Sequence, residues 1–352
     1  KTGGHDNRVG SSVADLEDFN GDGHTDIAIA SLRFGDAANP AAGRAWIIFG
    51  GSTPSAEINL NELSDSGLSG VTIRTPVAND EVGQSISCAG DADADGDTEV
   101  LVTRSLDDHD PETIATVAYL IRGSSDPDEE INLAESHPMV TRYDTFFDNE
   151  EEGQSAHGTY DVTGDGVDDH IVGIPRSVLL EVEKGIAHRV DGDQNLGGSQ
   201  LLDLLQHSGR GFIGLGQDQK VGYSVGAAGN FNDDRGNDMM IGAPGTKPYG
   251  RSEAGALYVF LGHSLRSPNQ VQTEALGQTV SVSWNNRAVY DQVDLFRDGS
   301  HHATLPGDAE SFTDENVAEG NHTYKVNGTR RTVTSVKKSS SIRVLDPADM
   351  LQ

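Results

Sequence analysis

The chain has 352 residues, with 56 Asp+Glu against 25 Lys+Arg and a formal charge of −31. That length predicts two to three domains with ample core. The acidity argues against nucleic-acid binding, because phosphate backbones repel such a chain, and apolar runs of only four to six residues exclude a transmembrane helix. One cysteine, Cys88, permits no intrachain disulfide and assigns no redox compartment. The polar start Lys1-Thr2-Gly3-Gly4-His5 carries no signal-peptide pattern, so the expectation is a cytosolic, processed or fragmentary chain. Glycine at 42 residues, with many short β-branched runs, predicts an all-β fold rich in tight turns.

In chain order one pattern returns four times. Val9-Gly10-Ser11-Ser12 precedes the loop Asp18-Phe19-Asn20-Gly21-Asp22-Gly23-His24-Thr25-Asp26 and an apolar strand from Ile27. Val82-Gly83-Gln84-Ser85 precedes a loop from Asp91 to Glu99, Glu152-Gly153-Gln154-Ser155 one from Asp161 to Asp169, and Val221-Gly222-Tyr223-Ser224 one from Asn230 to Asp238. The loop starts lie 73, 70 and 69 residues apart, which is a repeat of about 70 residues. About 25 residues after each loop starts, a second apolar strand follows, for example Arg44-Ala45-Trp46-Ile47-Ile48 and Ala256-Leu257-Tyr258-Val259-Phe260. The connectors 57–74, 130–142 and 200–215 add further strands, expected to open the unit after them. Four short strands per unit, repeated radially, predict β-propeller blades over residues 1–268.

The loops place oxygen-bearing side chains at alternate positions of a tight turn, with glycine usual at position 6. That is calcium chemistry. The candidate metal residues are Asp18, Asn20, Asp22, His24 and Asp26 in the first loop, and Asp91, Asp93, Asp95, Asp97 and Glu99 in the second. The third offers Asp161, Thr163, Asp165, Val167 and Asp169, and the fourth Asn230, Asn232, Asp234 and Asp238. Ca²⁺ is expected at the first three and, more weakly, at the fourth, which has fewer carboxylates and Arg235 in place of glycine. An EF-hand is ruled out, because position 12 is Ile29, Val102, Val172 or Ile241 inside an apolar strand rather than a bidentate glutamate before a helix.

Gly-x-Ser, then Asp-x-Asn-x-Asp-Gly-x-x-Asp, then a strand ending Gly242-Ala243-Pro244 or Gly173-Ile174-Pro175, resembles the FG-GAP repeat of integrin alpha subunits and bacterial surface proteins, with Phe49-Gly50 as the plainest FG. The resemblance spans roughly residues 8–264. It implies a propeller, typically of seven blades, with calcium on one rim and ligands on the opposite face or side. The second unit departs from it, ending Val102-Thr103-Arg104-Ser105.

After residue 268 the pattern changes to Thr279-Val280-Ser281-Val282-Ser283-Trp284, Val293-Asp294-Leu295-Phe296-Arg297 and Gly320-Asn321-His322-Thr323-Tyr324-Lys325-Val326. These alternating strands predict a small sandwich over 269–345 and a tail over 346–352. They resemble a fibronectin type III domain, with Trp284 in the core and Tyr324 as a corner tyrosine. Asn321 and Asn327 head sequons that chance also produces.

No His-Glu-x-x-His, Gly-x-Ser-x-Gly or phosphate-binding glycine loop is present. Cys88 reads as a small core residue. The reading is a secreted or cell-surface calcium-binding protein for adhesion or recognition of a protein or glycan. A polysaccharide-degrading enzyme on a propeller scaffold, or a structural spacer of a surface fibre, stands as the alternative. Contact candidates on the loops that vary between units are Arg33, Arg104 and Tyr249. Four units fall short of seven, so further blades from the same or another chain are expected to cover the open edges.

Overall fold

The computed structural model describes residues 7–52, 58–60, 63, 70–104, 114–146, 155–179, 182–193, 196–202, 211–248, 254–330, 333–335 and 337–344. Every regular element among them longer than a single turn is a strand. The chain divides into two compact units. One holds Lys1–Tyr160, Asp168–Gly229 and Asp238–Phe260; the other holds Asp161–Val167, Asn230–Asn237 and Leu261–Gln352.

In the first unit, β1 (Val9–Leu16), β2 (Asp26–Ser31), β3 (Arg44–Ile48) and β4 (Gly70–Arg74) form an antiparallel sheet in that order. β5 (Val82–Gly90), β6 (Glu99–Arg104) and β7 (Ile114–Ile121) begin the second sheet. β8 (Glu130–Asn132) returns to pair in parallel with β4, and β9 (Val140–Phe146) then closes on β7. The third sheet opens with β10 (Ser155–Tyr160) and β11 (Asp169–Ile174), and a small hairpin of β12 (Val178–Leu179) and β13 (Val182–Glu183) leads to β14 (Ile186–Val190). β15 (Gly198–Leu201) pairs in parallel with β9, and β16 (Gly211–Ile213) completes the third sheet on β14. The fourth sheet is β17 (Ser224–Gly229), β18 (Asp238–Ala243) and β19 (Ala256–Phe260).

The connectors behave differently from the sequence expectation. Each gives an outer strand to the unit before it, β4 to β3, β9 to β7 and β16 to β14. The reason is packing. Val71 and Ile73 of β4 are fully buried beside Ala45 and Ile47 of the preceding β3. Burial of that size is worth about 1.5–3 kcal/mol per side chain. The shorter strands β8 and β15 then join the sheet of the repeat before that again. Among the described residues the sheet that lacks an outer strand is therefore the fourth, not the first.

Apolar side chains of successive sheets meet in layers. Leu16, Ala28, Ile47 and Ile73 of the first sheet pack with Val82, Val100 and Val102 of the second. Leu101, Leu120 and Tyr143 meet Val172 and Ile174, and Ile171 and Ala187 meet Met239 and Ile241. Among the described residues the four sheets share no hydrogen-bonded ladder beyond the parallel strands already named, only isolated bridges such as Gly43↔Val82 and Gly185↔Val221. Cys88 is half-buried against the first of these layers, as a small core residue should be.

In the second unit, β20 (Asn269–Leu276) and β21 (Thr279–Asn285) belong to one sheet, and β22 (Gln292–Arg297) and β23 (Ser300–Pro306) to another. β24 (Ser311–Asp314) joins the first, while β25 (Gly320–Arg330), β26 (Val333–Thr334) and β27 (Lys338–Val344) join the second. The two sheets enclose Trp284, Tyr290, Leu295, Tyr324 and Val326. The buried Tyr324 hydroxyl donates to Asp314 at 2.6 Å, and Arg297 and His302 hold the same carboxylate. Asn327 is only 3% exposed, so its sequon is closed to glycosylation; Asn321 is exposed.

Candidate metal centre

The four acidic loops share one backbone. Position 4 is left-handed in each, at Gly21, Ala94, Gly164 and Asp233 (φ +66°, +60°, +73°, +60°). Position 6 is left-handed as well, at Gly23, Gly96, Gly166 and Arg235 (φ +85°, +104°, +88°, +73°). Arg235 thus occupies a conformation that costs an ordinary L-residue about 1–2 kcal/mol.

The hydrogen bonds repeat with the backbone. The position 5 carboxylate accepts the position 7 N–H in all four loops: Asp22 from His24, Asp95 from Asp97, Asp165 from Val167 and Asp234 from Gly236. The position 1 side chain gathers N–H groups across the turn. Asp18 takes those of Asp22 and Gly23, Asp91 that of Gly96, Asp161 those of Gly164, Asp165 and Gly166, and Asn230 that of Asp234. Asn20, Asp93 and Asn232 at position 3 accept from position 5 as well. Thr163 instead donates its hydroxyl to Asp161.

Position 9 lies at the buried base of each loop, where Asp26, Glu99, Asp169 and Asp238 are all fully buried. Asp26 accepts from Phe19 and Gly50 at 2.8 Å, Glu99 from Ala92 and Gly123, and Asp169 from Gly192. In the first two loops this carboxylate ties the loop to the end of the following strand in its own sheet.

The second loop concentrates the charge. Ligand atoms of Asp91, Asp93 and Glu99, all buried, lie within 4.8 Å of one another. Burial, then the neighbouring Asp93, pushes the Glu99 carboxyl well up, and burial with Asp95 raises Asp93 to about 6. The nearest cation is Arg122, 3.7 Å from Asp93. In the third loop burial lifts Asp161 to about 6, and in the first it lifts Asp26. The exposed Asp22 and Asp234 are instead held low, chiefly by the backbone N–H groups of His24 and Gly236. Crowded, desolvated carboxylates with a single guanidinium beside them suit a hard divalent cation, which would restore the charged form to Asp93 and Glu99.

Position 8 escaped the sequence reading. Its residues link successive loops: Thr98 donates its N–H to the Asp18 carbonyl, Asp168 donates its N–H to the Asp91 carbonyl while its carboxylate accepts from Asp91 N–H, and Asn237 donates to the Asp161 carbonyl. The signal was there, since position 8 reads Thr25, Thr98, Asp168 and Asn237, all able to hydrogen-bond.

The third loop has a distinct setting within the second unit. Its carbonyls accept from His263, Arg266 and Val289 backbone N–H groups and from the Arg330 side chain. A Cβ on Gly166 would lie 2.0 Å from the Val289 oxygen, whereas one on Gly23 or Gly96 would meet nothing within 4 Å.

Two of the contact candidates converge on adjacent acids. Arg33 pairs with Glu81 at 3.6 Å, and Arg104 with the buried Asp80 at 2.9 Å; Tyr249 lies outside the described residues. A groove of about 360 Å³ runs along the first strand of each sheet and is lined by Asp15, Glu17, His157, Tyr160 and Tyr223, without Arg or Lys.

An FG-GAP repeat matches residues 9–48, the stretch from β1 through β3 that encloses the first loop. No curated protein matches the chain. Similar solved structures include fibronectin(III)-like modules of Clostridium thermocellum CbhA (20% identity, 22% of this chain, 98% of that chain, TM-score 0.19). A two-domain fibronectin type III segment of chicken tenascin covers 50% of this chain and 92% of its own at 12% identity, TM-score 0.27. The Clostridium perfringens spore cortex lytic enzyme SleM covers 29% and 37% at 15% identity, TM-score 0.23. Among the described residues no helix is long and apolar enough to cross a membrane.

Proposed function

We propose that the chain is an extracellular calcium-binding adhesion or recognition protein, its four repeats being propeller blades followed by a fibronectin-III-like module. The supporting observations are that one loop conformation, with the position 5 carboxylate accepting the position 7 N–H, recurs in all four repeats, and that the second loop holds a buried, under-compensated acidic cluster. Positions 1, 3, 5 and 9 of the first three loops would hold Ca²⁺, which supplies charge compensation and rigidity rather than reaction chemistry. The fourth loop, with two carboxylates and strained Arg235, would bind more weakly.

The recognised partner would be a protein or glycan on a surface. A polysaccharide-cleaving pocket would be favoured by a convergent cluster of arginine, histidine, tyrosine and acid, and the groove along the first strands offers acid, histidine and tyrosine but no arginine. Calorimetric titration of the chelator-treated chain tests the reading, with at least three sites expected. A glycan-array and surface-binding screen run with and without calcium, beside a polysaccharide-cleavage assay, separates recognition from catalysis. No calcium uptake at millimolar concentration would refute the metal assignment, and cleavage without binding would refute the recognition assignment.

A further inference from the structure

The first acidic loop is held by groups of the repeat that follows it. The Asp18 carbonyl accepts the Thr98 N–H at 3.0 Å, and the Asp18 N–H donates to the Thr98 hydroxyl at 3.4 Å. The Phe19 carbonyl accepts the Ser124 N–H at 2.9 Å. Thr98 directly precedes Glu99 in the chain, and Ser124 directly follows Gly123, whose N–H donates to the Glu99 carboxylate at 3.4 Å. Glu99, a candidate ligand of the second loop, is thus joined by two routes to positions 1 and 2 of the first.

The same routes recur one loop further on. The Asp168 N–H donates to the Asp91 carbonyl at 3.2 Å, and the Asp168 carboxylate accepts the Asp91 N–H at 3.0 Å. The Ala92 carbonyl accepts the Asp193 N–H at 3.0 Å, and the preceding residue, Gly192, donates its N–H to Asp169 at 3.0 Å.

We propose that Thr98 and the Gly123-Ser124 pair are positioning residues for the metal of the first loop, so that calcium in the second loop strengthens binding in the first. This rests on the calcium reading above. Without calcium the buried Asp91, Asp93 and Glu99 repel one another. An ion draws them together and fixes Glu99, and with it the groups that hold Asp18 and Phe19. Asp18 in turn gathers the N–H groups of Asp22 and Gly23 and would offer its carboxylate to the first ion. Groups that hold a ligand in place are worth about 10–100-fold in metal affinity. The second loop has the most carboxylates and is expected to fill first. Repulsion between the two ions acts the other way, and Asp97 offsets it. A Cβ on Gly21 would lie 2.7 Å from Asp97 Oδ1, so this side chain carries negative charge from the second loop onto the first.

The N–H groups of Gly23 and Gly96 donate to the position 1 carboxylates of their own loops, so their amide resonances report the two loops separately. The full chain, isotope-labelled and stripped with chelator, is titrated with calcium chloride in about 0.5 M KCl, where attraction between exposed charges is screened. The first loop of the parent should bind at least about fivefold more tightly than that of Asp95→Asn, which weakens the second loop from an exposed position. Asp234→Asn, the same change in the fourth loop, should leave the first loop as it was. Thr98→Val removes the hydroxyl acceptor and should weaken the first loop about threefold with the second unaltered. A Gly23 curve that is indifferent to Asp95→Asn or to Thr98→Val, or moved equally by Asp234→Asn, would overturn the proposal and leave the metal assignment standing. Calcium that shifts neither glycine would refute the metal assignment and the proposal with it.

Discussion

Replacing Asp93 by Asn should stabilise the protein in chelator and weaken its response to calcium. Asp93 is 6% exposed, and burial with the neighbouring Asp95 holds its carboxyl at about 6 instead of 3.8. Such a difference corresponds to about 3 kcal/mol of folded-state penalty on the charged form. Because the folded value is the higher, the carboxyl contributes no penalty below pH 3.8, and stability is lost as pH rises towards and through 6. Asn keeps the acceptor for the Asp95 N–H at 3.2 Å and gives up the 3.7 Å pairing with Arg122, worth about 0.5 kcal/mol. The net expectation at pH 7 in chelator is a gain of about 1–3 kcal/mol, at about 2–4 °C in Tm per kcal/mol. At pH 4 the gain should vanish. Calcium at one hundred times its Kd would stabilise the parent by about 2.7 kcal/mol through each independent site, and the variant should forfeit one such increment. Scanning calorimetry of both proteins in calcium and in chelator, at pH 4 and 7, reads all four states. An Asp93→Asn variant less stable than its parent in chelator at pH 7 would refute the charge argument, and an undiminished calcium shift would refute the site.

Gly23→Ala and Gly166→Ala meet nearly the same backbone angle, +85° and +88°, but only the second drives a Cβ onto the Val289 oxygen. Chemical denaturation should show about 1 kcal/mol lost for the first and about 3 kcal/mol more for the second; equal losses would deny that the third loop is clasped. Arg235→Gly should gain about 1 kcal/mol by relieving a left-handed arginine, read as a rise in denaturation midpoint. The Asp298 contact at 2.7 Å raises His322, while burial of Asp298 is outweighed by the Thr323 N–H and His322, leaving that carboxyl low. The pair should stabilise the second unit most between the ordinary carboxyl and imidazole values, fading as Asp298 protonates at lower pH and as His322 deprotonates at higher pH. Asp298→Asn should flatten that pH profile, and an unchanged profile would refute the pairing.

Local pattern was enough to find the four loops, the strands beside them and the sandwich strands around Trp284 and Tyr324. Turn chemistry acts over a few residues, and alternation acts within one strand, so both are written into contiguous sequence. Position 8 was equally visible, but its meaning depends on the loop of another repeat, 77 residues away for Asp168 and Asp91. Partner choice was not legible. Val71 and Ile73 suit an edge on either side, and only burial against Ala45 and Ile47 assigns β4 to the preceding repeat. The same holds for charge. Asp22 and Asp93 read alike as loop acids, yet the His24 N–H and the Asn20 amide hold one low, while burial beside other carboxylates lifts the other to about 6. Side-chain type sets which ligands a loop can offer, and the tertiary neighbours of that loop set what each carboxylate costs to ionise.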